Sequence, residues 1–298
     1  MKRYHDIVGD GGSRILDQVA AQRARISDGL AGVQHIVAVG SGKGGVGKST
    51  LTLHLACALR ARGLRIGILD ADFNGPTQAR MAGVARALFV PGSHKVSLPR
   101  TANGMPIFSL GTLIPETRAL EFESTSQGES HTWRATREFA LLSEVIGAFE
   151  WGALDLLIVD LPPGAERTVQ YADFLCSFDS DPLRSRVSFL LVTIPSAVAR
   201  GVVARSVAAL SKGPTRVLGY VENMSGYYCR TCNAIKPLFA ASEPAVLGIP
   251  CLGTVPFDPE LAQHCDLGTP LEAVRESAVR QPLDLVAQRL LEALDWAP

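Results

Sequence analysis

The stretch Ile36-Val37-Ala38-Val39-Gly40-Ser41-Gly42-Lys43-Gly44-Gly45-Val46-Gly47-Lys48-Ser49-Thr50 decides the fold. Its β-branched apolar start reads as a strand, its glycines as a tight turn, and the alanine-rich segment running to Gly63 as a helix. Strand, glycine-rich turn and helix in this order are the context in which such spacing binds phosphate. Successive backbone N–H groups of such a loop point inward at an anion, and glycine lets the chain turn tightly and approach closely. The helix adds its positive N-terminal end. Gly42, Gly44, Gly45, Val46, Gly47 and Thr50 therefore read as nucleotide-contacting positions around Lys48 and Ser49. Lys48 sits where such loops place the lysine that reaches the β- and γ-phosphates of ATP, and the Ser49 hydroxyl suits Mg²⁺. Lys43 adds a cation at the start of the loop, where ordinary phosphate loops need none.

Outward from this loop, apolar runs alternate with helical stretches. Leu64–Leu69 ends at Asp70, Pro106–Leu110 follows, Leu154–Val159 ends at Asp160, and Phe189–Ile194 and Val217–Val221 complete the series. The alternation predicts an α/β fold of the P-loop NTPase type, a mainly parallel sheet with helices on both faces. Ligands of such sheets sit beyond the carboxyl ends of the strands. Asp70-Ala71-Asp72, Asp160 and Asn223 all fall there. Asp160 opens Asp160-Leu161-Pro162-Pro163-Gly164 and is placed like a magnesium-side carboxylate, with the Gly164 N–H available to a γ-phosphate. Asp72 is the candidate for orienting the attacking water and Asp70 for the metal side. Each acid also suits a plain strand-end turn.

The bulk numbers bound the rest. The chain has 298 residues, 47% of them apolar and 19% charged, enough for a large core. Its formal net charge of zero gives no global attraction to nucleic acid. No apolar h-region follows Met1 and no uncharged run approaches spanning length, so a cytoplasmic protein without a membrane partner is expected. Residues 13–30 predict a short amphipathic helix capped by Ser13, which makes 1–31 an N-terminal helical extension and 32–298 the P-loop ATPase domain. Glu121–His131 reads as a polar loop, Val90–Gly104 as an irregular hairpin, and Pro282–Trp296 as a core-packing helix. Six cysteines do not suggest a disulfide framework here. Cys229-Arg230-Thr231-Cys232 suits a redox dithiol, half of a zinc site or half of an iron–sulfur site. Two copies of the loop on a two-fold axis would supply four thiolates, which by count suit zinc or a [4Fe–4S] cluster equally. Cys57, Cys176, Cys251 and Cys265 read as buried apolar positions, with Cys251 or Cys265 as possible completers of an intramolecular site.

With these motifs in place, the sequence resembles the deviant Walker A ATPases, and within them the Mrp/ApbC-type iron–sulfur carriers. The resemblance rests on the loop with its extra lysine, Asp70–Thr77, Asp155–Gly164, Gly219–Ser225, Cys229–Cys232 and Gly253–Pro270. It implies a homodimeric, slowly hydrolysing ATPase that carries a bridging [4Fe–4S] cluster and hands it to apo iron–sulfur proteins alongside the cluster assembly machinery. It further implies that Lys43 reaches the partner subunit's phosphates, that Asn223 reads the adenine edge and that the Pro256–Pro259 segment, with Pro256 as the binding position, packs beside the base. Lys43, Lys48 and Asp72 are then the catalytic set. One departure stands out: Ala165-Glu166-Arg167 occupies the place where the family usually has Thr-Gly-Asp. A MinD/ParA-like positioning ATPase and a dimer bridged by structural zinc are the alternatives.

Overall fold

Strand β1 (Val33–Ser41) commits Ile36 and Ala38 to one apolar layer and Val37 and Val39 to another. The division recurs in β7 (Leu154–Asp160), with Leu157 and Val159 against Leu156 and Ile158, and in β8 (Val187–Thr193), with Phe189 and Leu191 against Leu190 and Val192. Side chains alternate along a strand, so near-continuous apolar runs mark a sheet covered on both faces. The computed structural model describes residues 15–92, 95–113, 131–176, 186–213, 215–239, 247–270 and 277–296. Among them, β2 (Ile66–Asp70), β5 (Ile107–Phe108), β9 (Arg216–Cys229), β10 (Ala234–Lys236) and β11 (Cys251–Phe257) complete an eight-stranded sheet. Its order is β10–β9–β8–β1–β7–β2–β5, with β11 also paired to β9. Every pairing is parallel except β9 with β10.

One apolar layer takes its helical side from α2 (Lys48–Ala61), α3 (Gln78–Met81), α7 (Pro259–Leu267) and α8 (Arg280–Ala293). The other takes it from α1 (Ile15–Gly29), α4 (His131–Ala148), α5 (Ala165–Cys176) and the Val203, Val207 and Leu210 face of α6 (Ala197–Leu210). Leu283, Val286 and Leu290 are buried at helical spacing in α8, as their periodicity predicts. Helix α1 packs on α4: Ile26 is buried, and Gln22 Nε2 donates to Ser143 Oγ at 2.8 Å. Gly29 lies so close to α4 that a Cβ there would meet the Ile146 carbonyl oxygen at 2.3 Å. Ser13 lies outside the described residues, as does the expected loop from Glu121 up to His131, the first residue of α4. In the hairpin region, β3 (Val90–Pro91) pairs antiparallel with β4 (Val96–Ser97), which pairs with β6 (Phe149–Glu150). No helix among the described residues is long and apolar enough to cross a membrane.

Strand β9 runs well beyond the expected Val217–Val221. It pairs with β8 as far as Glu222, with β11 as far as Tyr227, and with β10 from Tyr227 to Cys229. A succession of partners satisfies its backbone polar groups, so the strand continues past its apolar core.

Helix α2 buries His54 completely. Its Nδ1 lies 2.7 Å from the Thr50 carbonyl oxygen and therefore carries the proton, leaving Nε2 toward Cys265 Sγ of α7 at 4.0 Å. Burial, together with the charge of His264, pushes its pKa from 6.5 down to about 4, against the Thr50 bond. The unfolded chain takes up this proton at higher pH than the folded chain. Stability from neutral His54 is thus complete above about pH 6.5 and lost as pH falls toward 4, by about 3 kcal/mol. Unfolding free energies of the wild type and His54→Gln between pH 4 and 7 should differ by an amount that changes by about that much; a constant difference would contradict the assignment.

Candidate nucleotide site and thiol hairpin

The loop between β1 and α2 is held open by backbone geometry that its glycines permit. Gly47 precedes the first turn of α2 with φ 74°, in the left-handed region. A Cβ there would lie 2.3 Å from Asn223 Nδ2, so glycine is required twice over. The loop from Lys43 to Thr50, with Asp72, Thr77 and Pro163, lines a cavity of about 270 Å³ beyond the carboxyl ends of the strands. Thr50 also turns its hydroxyl toward Met81 Sδ at 3.9 Å.

Beneath the cavity, Lys48 Nζ pairs with Asp160 Oδ1 where both side chains are buried. Ser49 Oγ lies 3.3 Å from the same ammonium. Gln78 Nε2 donates to Asp160 Oδ2 and to the Ser49 carbonyl, each at 2.9 Å. Thr52 Oγ1 adds a longer contact to Oδ1 at 3.4 Å. The last residue of β7 is thereby locked to the first turn of α2.

The other two acids separate. Asp72 lines the cavity, half-buried, and accepts from the Gly75 N–H at 3.2 Å. Burial raises its pKa while the charge of Lys48 opposes the rise, which suits a carboxylate that must accept a proton. Asp70 is fully buried and does not line the cavity. It accepts from Ser109 Oγ at 2.7 Å and from the backbone N–H groups of Asp72 and Gln78 at 3.2 Å each. Burial, then the charge of Asp160, hold its carboxyl well above the usual carboxylate range. In this structure the oxygens of Asp70, expected on the metal side, brace the end of β2 against α3 and Ser109.

Three further candidate residues are held by local contacts. The Gly164 N–H donates to the Ser41 carbonyl at 2.9 Å, tying the Pro162-Pro163-Gly164 turn to β1, so it does not face the cavity. Asn223 is buried, and its Nδ2 donates to the Val46 carbonyl at 2.9 Å, bracing the loop from β9. Pro256 is buried in β11 and does not line the cavity.

Cys229 ends β9 and Cys232 lies in the turn to β10, so both thiols occupy the tip of a β-hairpin. Cys232 is exposed and Cys229 half-exposed. Contacts from Cys232, and then from the turn's backbone and Lys236, lower the Cys229 pKa and favour its thiolate. Arg230 pairs with Glu260 in the first turn of α7, both exposed, which orients the tip and adds little stability. Cys57, Cys176 and Cys265 are buried as expected, but Cys251 is exposed. It opens β11 opposite Tyr220, nine residues before Cys229 along β9, a separation of roughly 30 Å at strand rise. Neither Cys251 nor buried Cys265 therefore joins the hairpin pair, and no group of three or more metal-ligating side chains occurs among the described residues.

Fold, loop and buried lysine together define a P-loop NTPase. A family profile described as NUBPL iron-transfer P-loop NTPase matches residues 32–291, and the chain belongs to that family. It is 36% identical over 272 residues to the human cytosolic Fe-S cluster assembly factor NUBP2, covering 89% of this chain and 94% of that protein. It is 34% identical over 281 residues to the iron-sulfur cluster carrier protein of Deinococcus radiodurans, covering 91% and 73%. Among solved structures, a nucleotide-binding protein in complex with ADP from Archaeoglobus fulgidus superposes with TM-score 0.67 at 27% identity, over 84% of this chain and 92% of that one. The cell division ATPase MinD of Pyrococcus furiosus shares the fold, with TM-score 0.55 at 19% identity over 87% and 99%.

Sequence reasoning missed Gln78, Ser109, Glu138 and Tyr171. Each is a buried polar residue whose partner is far along the chain, and no local pattern marks it. The ion pair makes a direct prediction. Lys48→Met should cost about 3–5 kcal/mol in denaturant unfolding without nucleotide, because it strands a buried carboxylate. Lys48→Met with Asp160→Asn should recover most of that. A single-variant loss below about 1 kcal/mol, the scale of a surface pair, would contradict the assignment.

Proposed function

We propose that this chain is a slowly hydrolysing ATPase that works as a homodimer and carries an iron–sulfur cluster between its paired thiol hairpins. The observation that carries this reading is one strand, β9, which braces the phosphate loop through Asn223 and presents Cys229 six residues later. The family's iron-transfer description and the names of the cluster-assembly relatives supply the cargo. Those relatives called cytosolic suggest the same compartment, with apo iron–sulfur proteins as recipients.

On ATP binding, Lys48 exchanges Asp160 for the β- and γ-phosphate oxygens, which its position on the first turn of α2 allows. The backbone N–H groups from Gly42 to Ser49 cradle the same phosphates. Mg²⁺ fits the oxygen donors here, because Gln78 Oε1 is buried beside Ser49 and Asp160 with no hydrogen-bond partner among the described residues. Ser49 and Asp160 would hold the ion, which would neutralise charge on the β- and γ-phosphates. Asp72 orients the attacking water and accepts its proton. Lys43, half-buried at the start of the loop, reaches the phosphates bound by the partner subunit. A closed thiolate site takes four donors, and each hairpin offers two, so a symmetric pair of chains completes it. Movement of the loop reaches the thiols through β9, and an exposed hairpin lets the cluster leave.

After anaerobic loading with iron and sulfide, Cys229→Ala and Cys232→Ala should each lose bound iron and the visible cluster absorbance while still binding ATP. Full iron content in both variants would overturn the site, and stoichiometric zinc without iron in anaerobically purified protein would favour a structural metal. Asp72→Ala should bind ATP with wild-type affinity and hydrolyse it at least about 10²-fold more slowly. Unchanged turnover would remove Asp72 from its role.

A further inference from the structure

The departure at Arg167 has a partner set of its own. Arg167 pairs with Glu138 of α4, a buried acid, and its Nη1 donates to Gln170 Oε1 at 2.6 Å. Its guanidinium lies 5.6 Å from the Tyr171 ring centroid and 6.0 Å from that of Phe139. The other carboxylate oxygen of Glu138 lies 2.7 Å from the Tyr171 hydroxyl. That hydroxyl also lies 2.9 Å from the Ala71 carbonyl oxygen. Tyr171 is fully buried, and burial, then the charge of Glu138, raise its pKa, so it keeps the one proton it shares between these acceptors.

Both ends of this chain of contacts touch the nucleotide site. Ala71 is the residue before Asp72, and its carbonyl belongs to the peptide plane from which Asp72 projects. Arg167 lies over Gly164, where an added Cβ would meet its Cγ at 3.6 Å, and Gly164 closes the turn whose Pro163 lines the cavity. None of Glu138, Arg167 and Tyr171 lines the cavity itself. Glu138 and Tyr171 are buried and Arg167 is partly exposed, and the ion pair, the hydroxyl bonds and the ring contacts together favour a single geometry.

We propose that Arg167, Glu138 and Tyr171 are positioning residues for hydrolysis: they form a strut that sets Asp72 against the Pro162-Pro163-Gly164 turn. The proposal rests on Asp72 orienting the water. A misplaced reacting group costs up to about a hundredfold in rate while leaving binding of the rest of the substrate alone.

The test measures ATP turnover per nucleotide-binding site in the full chain, with sites counted by titration using a fluorescent nucleotide. Tyr171→Phe keeps the ring and removes the hydroxyl; Arg167→Ala removes the fork; Arg167→Lys keeps the charge as a single point. Tyr171→Phe and Arg167→Ala should each lower kcat per site by about tenfold with KM within about twofold of wild type. Arg167→Lys should recover part of that loss. The Tyr171→Phe/Arg167→Ala double variant should be no slower than the slower single variant, because the residues act as one unit. A purely structural role would lower the number of titratable sites and leave turnover per site unchanged, which would overturn the strut. Wild-type turnover per site in Tyr171→Phe and Arg167→Ala, with Asp72→Ala inactive, would overturn the strut alone. Wild-type turnover in Asp72→Ala would overturn the reading of Asp72 and the strut built on it.

Discussion

The buried pair between Lys48 and Asp160 is the constraint on which the rest of the site depends. It joins the first turn of α2 to the last residue of β7, and β7 lies between β1 and β2 in the sheet. Two groups of opposite charge taken out of water hold each other strongly only if their remaining polar atoms are also satisfied. Gln78 meets that demand from α3, and the same residue gives its backbone N–H to Asp70. One lysine therefore fixes the relative places of the loop, both strand-end acids and α3. The same lysine is the group that a phosphate would recruit, so nucleotide binding would act on a buried, paired charge.

Strand β9 links that centre to the thiols. Asn223 reaches back to the Val46 carbonyl, and Met224 next to it adopts φ 53°, a left-handed conformation uncommon for a non-glycine residue. The strand then continues into the hairpin that ends in Cys229. Arg230 adds a second, solvent-exposed tie to α7, the helix that follows β11. A parallel sheet gathers strand ends at one edge. That geometry explains why the phosphate loop and the thiol hairpin, far apart in sequence, lie on the same side of the molecule.

What the sequence made legible was what local pattern encodes. Glycine spacing between a β-branched run and an alanine-rich helix defined the loop, and apolar runs marked β1, β7 and β8. The spacing of Cys229 and Cys232 marked a thiol pair, and the structure places it at the tip of a hairpin. What stayed hidden depends on long-range pairing. Asp70 and Asp72 look alike in a turn-forming stretch, yet Ser109, 39 positions away from Asp70, sequesters one and leaves the other at the cavity. Gly164 and Asn223 carry polar groups that a strand-end position leaves free in principle, and neighbouring carbonyls from Ser41 and Val46 claim them. Cys251 looked like a core cysteine because it adjoins an apolar strand, but it sits at the open start of β11.

Among the described residues the phosphate loop and the groups that brace it belong to one chain and the hairpin offers two thiols, so the Lys43 contact and the four-thiolate site that we propose both need a second chain. Symmetric pairing around the cargo is therefore the central claim, and native mass spectrometry of anaerobically loaded protein tests it most directly. Two chains with four iron and four sulfide, reverting to iron-free protein when the cluster is chelated, is the predicted species. Iron retained on single chains, or a loaded species that never contains a second copy, would contradict it.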